Sequence, residues 1–390
     1  MQLFGVLIPE KGQLMTTATD VAKGRAGLTL YASLFGLLIG FYAIAAIFIQ
    51  GHAHTINTSN LVPWGLQIST YIYFALLSTG CTFVNFFGHV FFEKQYKPFA
   101  SRIIFVGIIT AIAAFFSLAT EMGRIDRMYN FLLSPNPKSP MFWMAIWYTT
   151  YLIAITWEYI NIQTNRHSNR VMWGAFFVAI FTHSTLGSLL GSVSSRVYYY
   201  SALMPIYFLF IAFLTGCSLT TIIAAMTVKQ KKLDENFHLH PFITLLKVGL
   251  GLALLITFWR TMIGLSAHLE GSEVFSLTLI NSVLFGIVVV IIIPYVLLKM
   301  GKSANWLIFV GLFIMGTQLK ARNDLVVGAF KIPVFRVYDM PEVVHYAPSI
   351  YENLVVVASA SLVMVLYIVF ERSGVFEAGT SRRSADHGTV

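Results

Sequence analysis

The sequence predicts an all-α integral membrane protein of about ten transmembrane helices, and three observations carry that reading. Of 390 residues, 57% are hydrophobic and only 11% charged, where a soluble domain usually carries about 25% charged residues. The apolar residues gather in runs of about 20, the length that crosses a bilayer's hydrocarbon core as a helix. The basic residues behind the net charge of +9 sit in short clusters between those runs, which fits membrane orientation better than a nucleic-acid stripe.

In chain order the expected spans are 27–50, 64–92, 101–120, 141–161, 170–194, 201–228, 241–262, 273–298, 304–320 and 350–370. The ninth is the least regular, because Gln318, Lys320 and Arg322 follow closely on its apolar part. Residues 1–26 read as a cytoplasmic N-terminal segment, 27–370 as the polytopic membrane domain and 371–390 as a cytoplasmic tail. Met1 to Arg25 is mixed in character, and the first apolar run is a full span rather than a short signal core, so no secretory signal is expected. The end GTSRRSADHGTV is small and polar and is expected to be disordered.

Lys and Arg in or beside the N-terminal segment, the even-numbered loops and the tail number sixteen, against eight on the other side. The positive-inside rule then puts both termini in the cytoplasm. The extracytoplasmic segments become 51–63, 121–140, 195–200, 263–272 and 321–349.

Cys81 and Cys217 lie within apolar runs. Two thiols are too few for a disulfide framework or an iron–sulfur cluster, and no C-x-x-C-H haem attachment occurs. P-loop, dinucleotide and H-E-x-x-H patterns are missing too.

Polar side chains inside a span cost several kcal/mol unless paired or hydrated, so each is a functional candidate. In span 2, Gln67, Tyr71, Ser78, Thr82, Asn85 and His89 are spaced by three, four or seven and share one helical face. The stripe is either a hydrogen-bonded proton path, with His89 able to titrate near neutral pH, or a polar helix interface. In span 5, His183 falls near mid-membrane within THSTLGSLLGS, where Gly187 and Gly191 permit close packing. It is a proton relay, a quinone or haem ligand, or a histidine bonded to a neighbouring helix. Glu158, in span 4, and Lys247 read as snorkelling groups, while Arg260 either snorkels or lines a polar pocket. At the outer end of span 3, EMGRIDR crowds Glu121, Arg124, Asp126 and Arg127 into seven residues. Their spacing of three allows pairing on one face and a carboxylate tuned for proton transfer, or simply a solvated ion-pair patch.

VPWGLQISTYIYFALLSTG (62–80), EMGRIDR followed by SPNPKSPMFW, and THSTLGSLLGSVSSRVYYYSALMPIYFL (182–209) together resemble the NrfD/PsrC family. These are membrane subunits of polysulfide-reductase-type complexes. The length and span count are most similar to the longer ten-helix branch of Dsr, Hmc, Qrc and alternative complex III assemblies. The resemblance implies two four-helix bundles, spans 2–5 (about 64–194) and 6–9 (about 201–320), with spans 1 and 10 peripheral. It implies an exchangeable menaquinone or ubiquinone at the outer end of the first bundle, with no haem or cluster in this chain. It implies an extracytoplasmic ferredoxin-like iron–sulfur partner above that site, further haem or catalytic subunits, and a bacterial or archaeal cytoplasmic membrane. By position, Glu121, Arg124, Asp126, Arg127 and His183 match the family's polar cluster and mid-span histidine, and Arg196 its outer 5–6 turn. Residues 241–370 match less well.

The expected function is therefore quinone chemistry coupled to a partner cluster. His183, Glu121 and Asp126 would exchange protons, Arg124, Arg127 and Arg196 would polarise carbonyls, and Tyr71 and Trp64 would shape a ring slot. Gln67, Ser78, Thr82, Asn85 and His89 would connect that slot with the cytoplasm. Two other readings stay open. A haem b cytochrome would need His89 and His183 at one depth, which the span boundaries do not provide. A secondary transporter would need paired broken helices, and Pro294 is one of few interruptions.

Overall fold

The computed structural model describes residues 11–164, 168–196, 198–266, 283–331, 333, 341 and 343–376. Among them the regular structure is helical throughout, as expected where a bilayer offers backbone groups no water to bond. The long helices are α1 Lys11–Gln50, α2 Leu66–Tyr96, α3 Ala100–Glu121, α4 Pro140–Gln163, α5 Asn169–Gly191, α6 Met204–Lys231 and α7 Glu235–Ser266. α8 Ile293–Met300 is entered through a π-helical run, Phe285–Ile292, and α9 Ala304–Gly328 and α10 Ile350–Arg372 complete the set.

Eight of these are long and apolar enough to cross a membrane. The two that differ from the expected ten do so for separate reasons. α4 has 24 residues, about 36 Å at helical rise, but Trp, Tyr and Thr interrupt its apolar stretch and it is not among the eight. The eighth expected span, 273–298, falls partly on residues outside those described, as do the polar tail and the first ten residues. α1 begins before its expected start and is 40 residues long, about 60 Å, so it is longer than a bilayer core. α9 runs past the expected end at 320 to Gly328, because its late polar residues find partners. Lys320 pairs with Asp324 at 2.5 Å, and Arg322 is buried against α6.

α2 packs on α3, α3 on α4, α4 on α5 and α5 back on α2; α6 likewise packs on α7 and α9, with α8 between those two. α1 and α10 pack together, α10 also resting on α3. The two groups of four are joined where α2 crosses α6. A Cβ at Gly80 would lie 2.1 Å from the Ala212 carbonyl, and one at Gly216 would lie 2.2 Å from the Gly80 carbonyl carbon. Backbones touch directly there, which only paired glycines allow. Gly187 and Gly191 do the same for α5 against the start of α6, meeting Pro205, Met204 and Ser201. At the end where α3 begins and α10 stops, Arg102 is clamped to Glu371 by two bonds of 3.0 and 2.7 Å.

Candidate functional site

α2 is the helix on which the site is built, because nearly all of its first 23 residues are buried among α3, α5, α6, α7 and α9. Its polar positions from Gln67 to His89 cover 22 residues of rise, about 33 Å. The end at which α2 starts and α3 stops is called the rim below.

At the rim, Gln67 is fully buried. With its carboxamide nitrogen turned to the carboxylates, it donates to Glu352 Oε1 at 3.1 Å and to Glu121 Oε2 at 3.3 Å. Glu352 opens α10 as a capping-box residue and is itself 0% exposed. Its Oε2 accepts from the Ser349 N–H at 2.6 Å and the Asn57 N–H at 3.2 Å. Its Oε1 accepts from the Tyr346 hydroxyl, and that hydroxyl accepts from the Leu66 N–H at 2.8 Å. Burial pushes the Tyr346 phenol up from its ordinary value, and the bond to Glu352 pushes it further the same way. Two carboxyls, a carboxamide and a phenol thus share one network at the mouth of the first four helices. Sequence patterning does not disclose the part played by Tyr346 and Glu352. A Ser-x-x-Glu pair ahead of an apolar run signals a helix start, and nothing in it signals a partner some 285 residues away.

Beside this network, Trp64 stacks toward Tyr199 (centroids 6.3 Å) and meets Phe330 edge-on at 5.7 Å. The Arg196 guanidinium lies 4.6 Å from the centre of the Phe330 ring. Trp64 and Arg196, 132 positions apart in sequence, therefore share one aromatic cluster on the rim.

EMGRIDR is arranged differently from its helical spacing. α3 ends at Glu121, so Glu121, Arg124 and Arg127 do not share a helical face. Arg124 instead clamps Asp126 through bonds of 3.0 and 2.8 Å, with both side chains more than 60% exposed. The Arg124 guanidinium holds the Asp126 carboxyl below its ordinary range, and Asp126 in turn raises Arg124. Arg127 is exposed as well. Only Glu121 of the four faces the buried network.

Below the rim, Tyr71 is buried against Tyr148 and Phe115 and contacts Met144 Sδ at 3.8 Å. His183 is fully buried, and its Nδ1 lies 2.8 Å from Thr79 Oγ1. Next, the Tyr151 hydroxyl bridges Ser78 (3.0 Å) and Thr82 (2.9 Å). Asn85 follows, donating to Glu158 Oε1 at 2.7 Å and accepting from the Tyr96 hydroxyl at 3.0 Å. His89 Nδ1 closes the series on the Asn85 carbonyl oxygen at 3.0 Å. Ser78, Thr82, Asn85 and His89 therefore do line one file, and Tyr151 and Glu158 of α4 complete it. The snorkelling expected of Glu158 is corrected here. It is 4% exposed and points inward, because Asn85 supplies a hydrogen bond that lipid cannot. Thr79 escapes the helical-spacing pattern because it lies one position off the stripe.

The imidazoles of His89 and His183 sit at different levels. His183 is level with Thr79, ten residues from His89 along α2, about 15 Å of rise. One iron cannot bind both. Among the described residues, no group of three or more His, Cys, Asp or Glu side chains is placed to hold a metal.

Residues 54–329 match the family described as polysulphide reductase, NrfD. The chain is 26% identical to the Hdr-like menaquinol oxidoreductase integral membrane subunit of Archaeoglobus fulgidus, over 85% of this chain and 88% of that one. It is 23% identical to a selenate reductase subunit of Mesobacillus selenatarsenatis, over 78% of this chain and 84% of that one.

Proposed function

We propose, from the premise that this chain belongs to the NrfD family, that it is the quinone-handling subunit of a multi-subunit redox complex. It is a multi-pass membrane subunit of such a complex; the quinone site, the route of protons and the nature of the partner are the proposal. The name of the archaeal relative, a menaquinol oxidoreductase subunit, supports the quinone. The observation that carries the reading is the polar file running from Glu121, Gln67 and Glu352 at the rim to Asn85, Glu158 and His89 at the far end.

The rim residues suit a quinone headgroup. Glu121 and Glu352 hold or release protons, Gln67 and Tyr346 orient them, and Trp64, Tyr199 and Phe330 present ring faces with Arg196 as a fixed cation. A quinone, when bound, carries two electrons and two protons between a partner's redox centre and the lipid. Tyr71 and His183, a level deeper, would pass protons between the rim and the Ser78–Tyr151–Thr82 link. Glu158 would hold the proton at the opposite end.

The rim is read as extracytoplasmic, from the distribution of Lys and Arg. Arg124, Asp126 and Arg127, with exposed Tyr129 and Leu133 beside them, would form the face on which an iron–sulfur partner docks. Their outward direction suits docking better than carbonyl contact.

The test is Glu121→Gln in the intact complex. Quinol-dependent turnover should fall by about 10²-fold or more while the complex stays assembled. Turnover at the wild-type rate would remove the rim carboxyl from the chemistry.

A further inference from the structure

The second group of helices holds a cavity, lined by both polar and apolar side chains, that the rim chemistry does not use. It measures about 60 Å³ and is lined by Arg260 and Thr257 of α7, Tyr207 of α6, Gln318 and Arg322 of α9, and the π-helical entry to α8. Arg322 is 1% exposed, and it donates to the Tyr207 hydroxyl at 2.7 Å through one terminal nitrogen. Its Nε and Nη1 have no hydrogen-bond partner. Gln318, also 1% exposed, has neither its oxygen nor its nitrogen bonded. The Arg260 guanidinium sits 4.8 Å from the centre of the Tyr207 ring, and that of Arg322 sits 5.2 Å from the same centre. Two guanidiniums therefore converge on one ring. Among the described residues the acidic group on the lining is Asp324, whose carboxylate is taken by Lys320 at 2.5 Å.

Among the described residues no free carboxylate faces these guanidiniums. A guanidinium stays protonated in proteins, so the pair cannot relieve itself by losing a proton. Buried charge without a counter-charge costs several kcal/mol, and each unmet donor adds to that. Tyr207 offers its ring face to both cations and its hydroxyl oxygen to Arg322. The π-helical run Phe285–Ile292 contributes Phe285, Gly286, Val290 and Ile291 to the wall. Such runs are rare and frequently mark functional sites.

We propose that this cavity binds a small anion, of the size range from chloride to nitrate or formate. Arg322 Nε and Nη1, Arg260 and the Gln318 amide supply the donors, and the anion supplies the missing negative charge. The volume admits a few waters or one such ion. The site is independent of the rim, and it stands or falls apart from the quinone reading.

The test uses the purified full-length chain in detergent, with chloride, nitrate or formate titrated against gluconate at constant ionic strength. Thermal unfolding is one readout, and equilibrium dialysis of labelled chloride is the other. A saturable rise in unfolding temperature and one bound ion per chain are expected. Arg322→Gln should weaken half-saturation by about tenfold to a hundredfold, the effect of one or two lost charged hydrogen bonds. Gln318→Leu, which leaves both guanidiniums, should weaken it less and serves if the arginine variant does not fold. A flat response to all three anions, or titrations unchanged in both variants, would overturn the site.

Discussion

Glu352 is where structure and proposed chemistry meet, and replacing it in two ways separates them. Glu352→Ala strips the acceptor from four donors at once: the Ser349 N–H, the Asn57 N–H, the Tyr346 hydroxyl and the Gln67 amide. The residue is 0% exposed, so water cannot replace what is lost. Loss of a cap costs about 0.5–2 kcal/mol, and each buried donor left bare costs about 1–3 kcal/mol. Because these donors share one carboxylate, their losses do not add fully, and the net destabilisation should be about 3–5 kcal/mol. Glu352→Gln keeps the side chain's length and one acceptor oxygen, and glutamine also completes a capping box. Its cost should be about 1–2 kcal/mol. Unfolding of the purified chain in matched detergent would give both values. The complex carrying Glu352→Gln would then be assayed for quinol oxidation, where removal of the ionisable group should lower turnover despite retained folding. A cost below about 1 kcal/mol for the alanine variant would refute the network's structural weight. Full turnover in the glutamine variant would remove Glu352 from proton exchange.

Three further predictions follow from the packing. Gly80→Ala places a methyl 2.1 Å from the Ala212 carbonyl oxygen and should destabilise by about 3 kcal/mol or more, whereas Gly174→Ala, with nothing within 4 Å, should be neutral or slightly stabilising in the same unfolding assay. Arg102→Ala leaves Glu371 without its partner on a side chain only 15% exposed, and should cost about 3–5 kcal/mol, while Arg102→Met combined with Glu371→Leu should recover much of it. The Asp126 carboxyl is held below its ordinary 3.8 by Arg124, so its stabilisation is complete above that pH and fades as the pH falls through the lowered value. Both groups are exposed, so Asp126→Asn should remove only a small, salt-screened contribution to the unfolding temperature near neutrality, and a large salt-independent loss would contradict the exposed geometry.

Continuous apolar runs made most of the helices readable from the chain alone, because a span of about 20 such residues has few other stable homes. The polar face of α2 was equally plain, since helical spacing alone places Ser78, Thr82, Asn85 and His89 on one side. Tertiary structure alone decided what that face meets. Whether Glu158 points to lipid or to Asn85 depends on the rotation of α4 about its axis, and aromatic residues all round that helix leave the choice open. Lys320 and Arg322 looked like the end of a span, yet α9 continues through them because Asp324 and Tyr207 stand where charge can be met. Glu352 reached the rim network, and Arg260 and Arg322 reached one ring, through chain crossings of great sequence separation. Hydrophobic length is a local property, written wherever the residues stand; the pairing of buried polar groups belongs to the whole packed bundle.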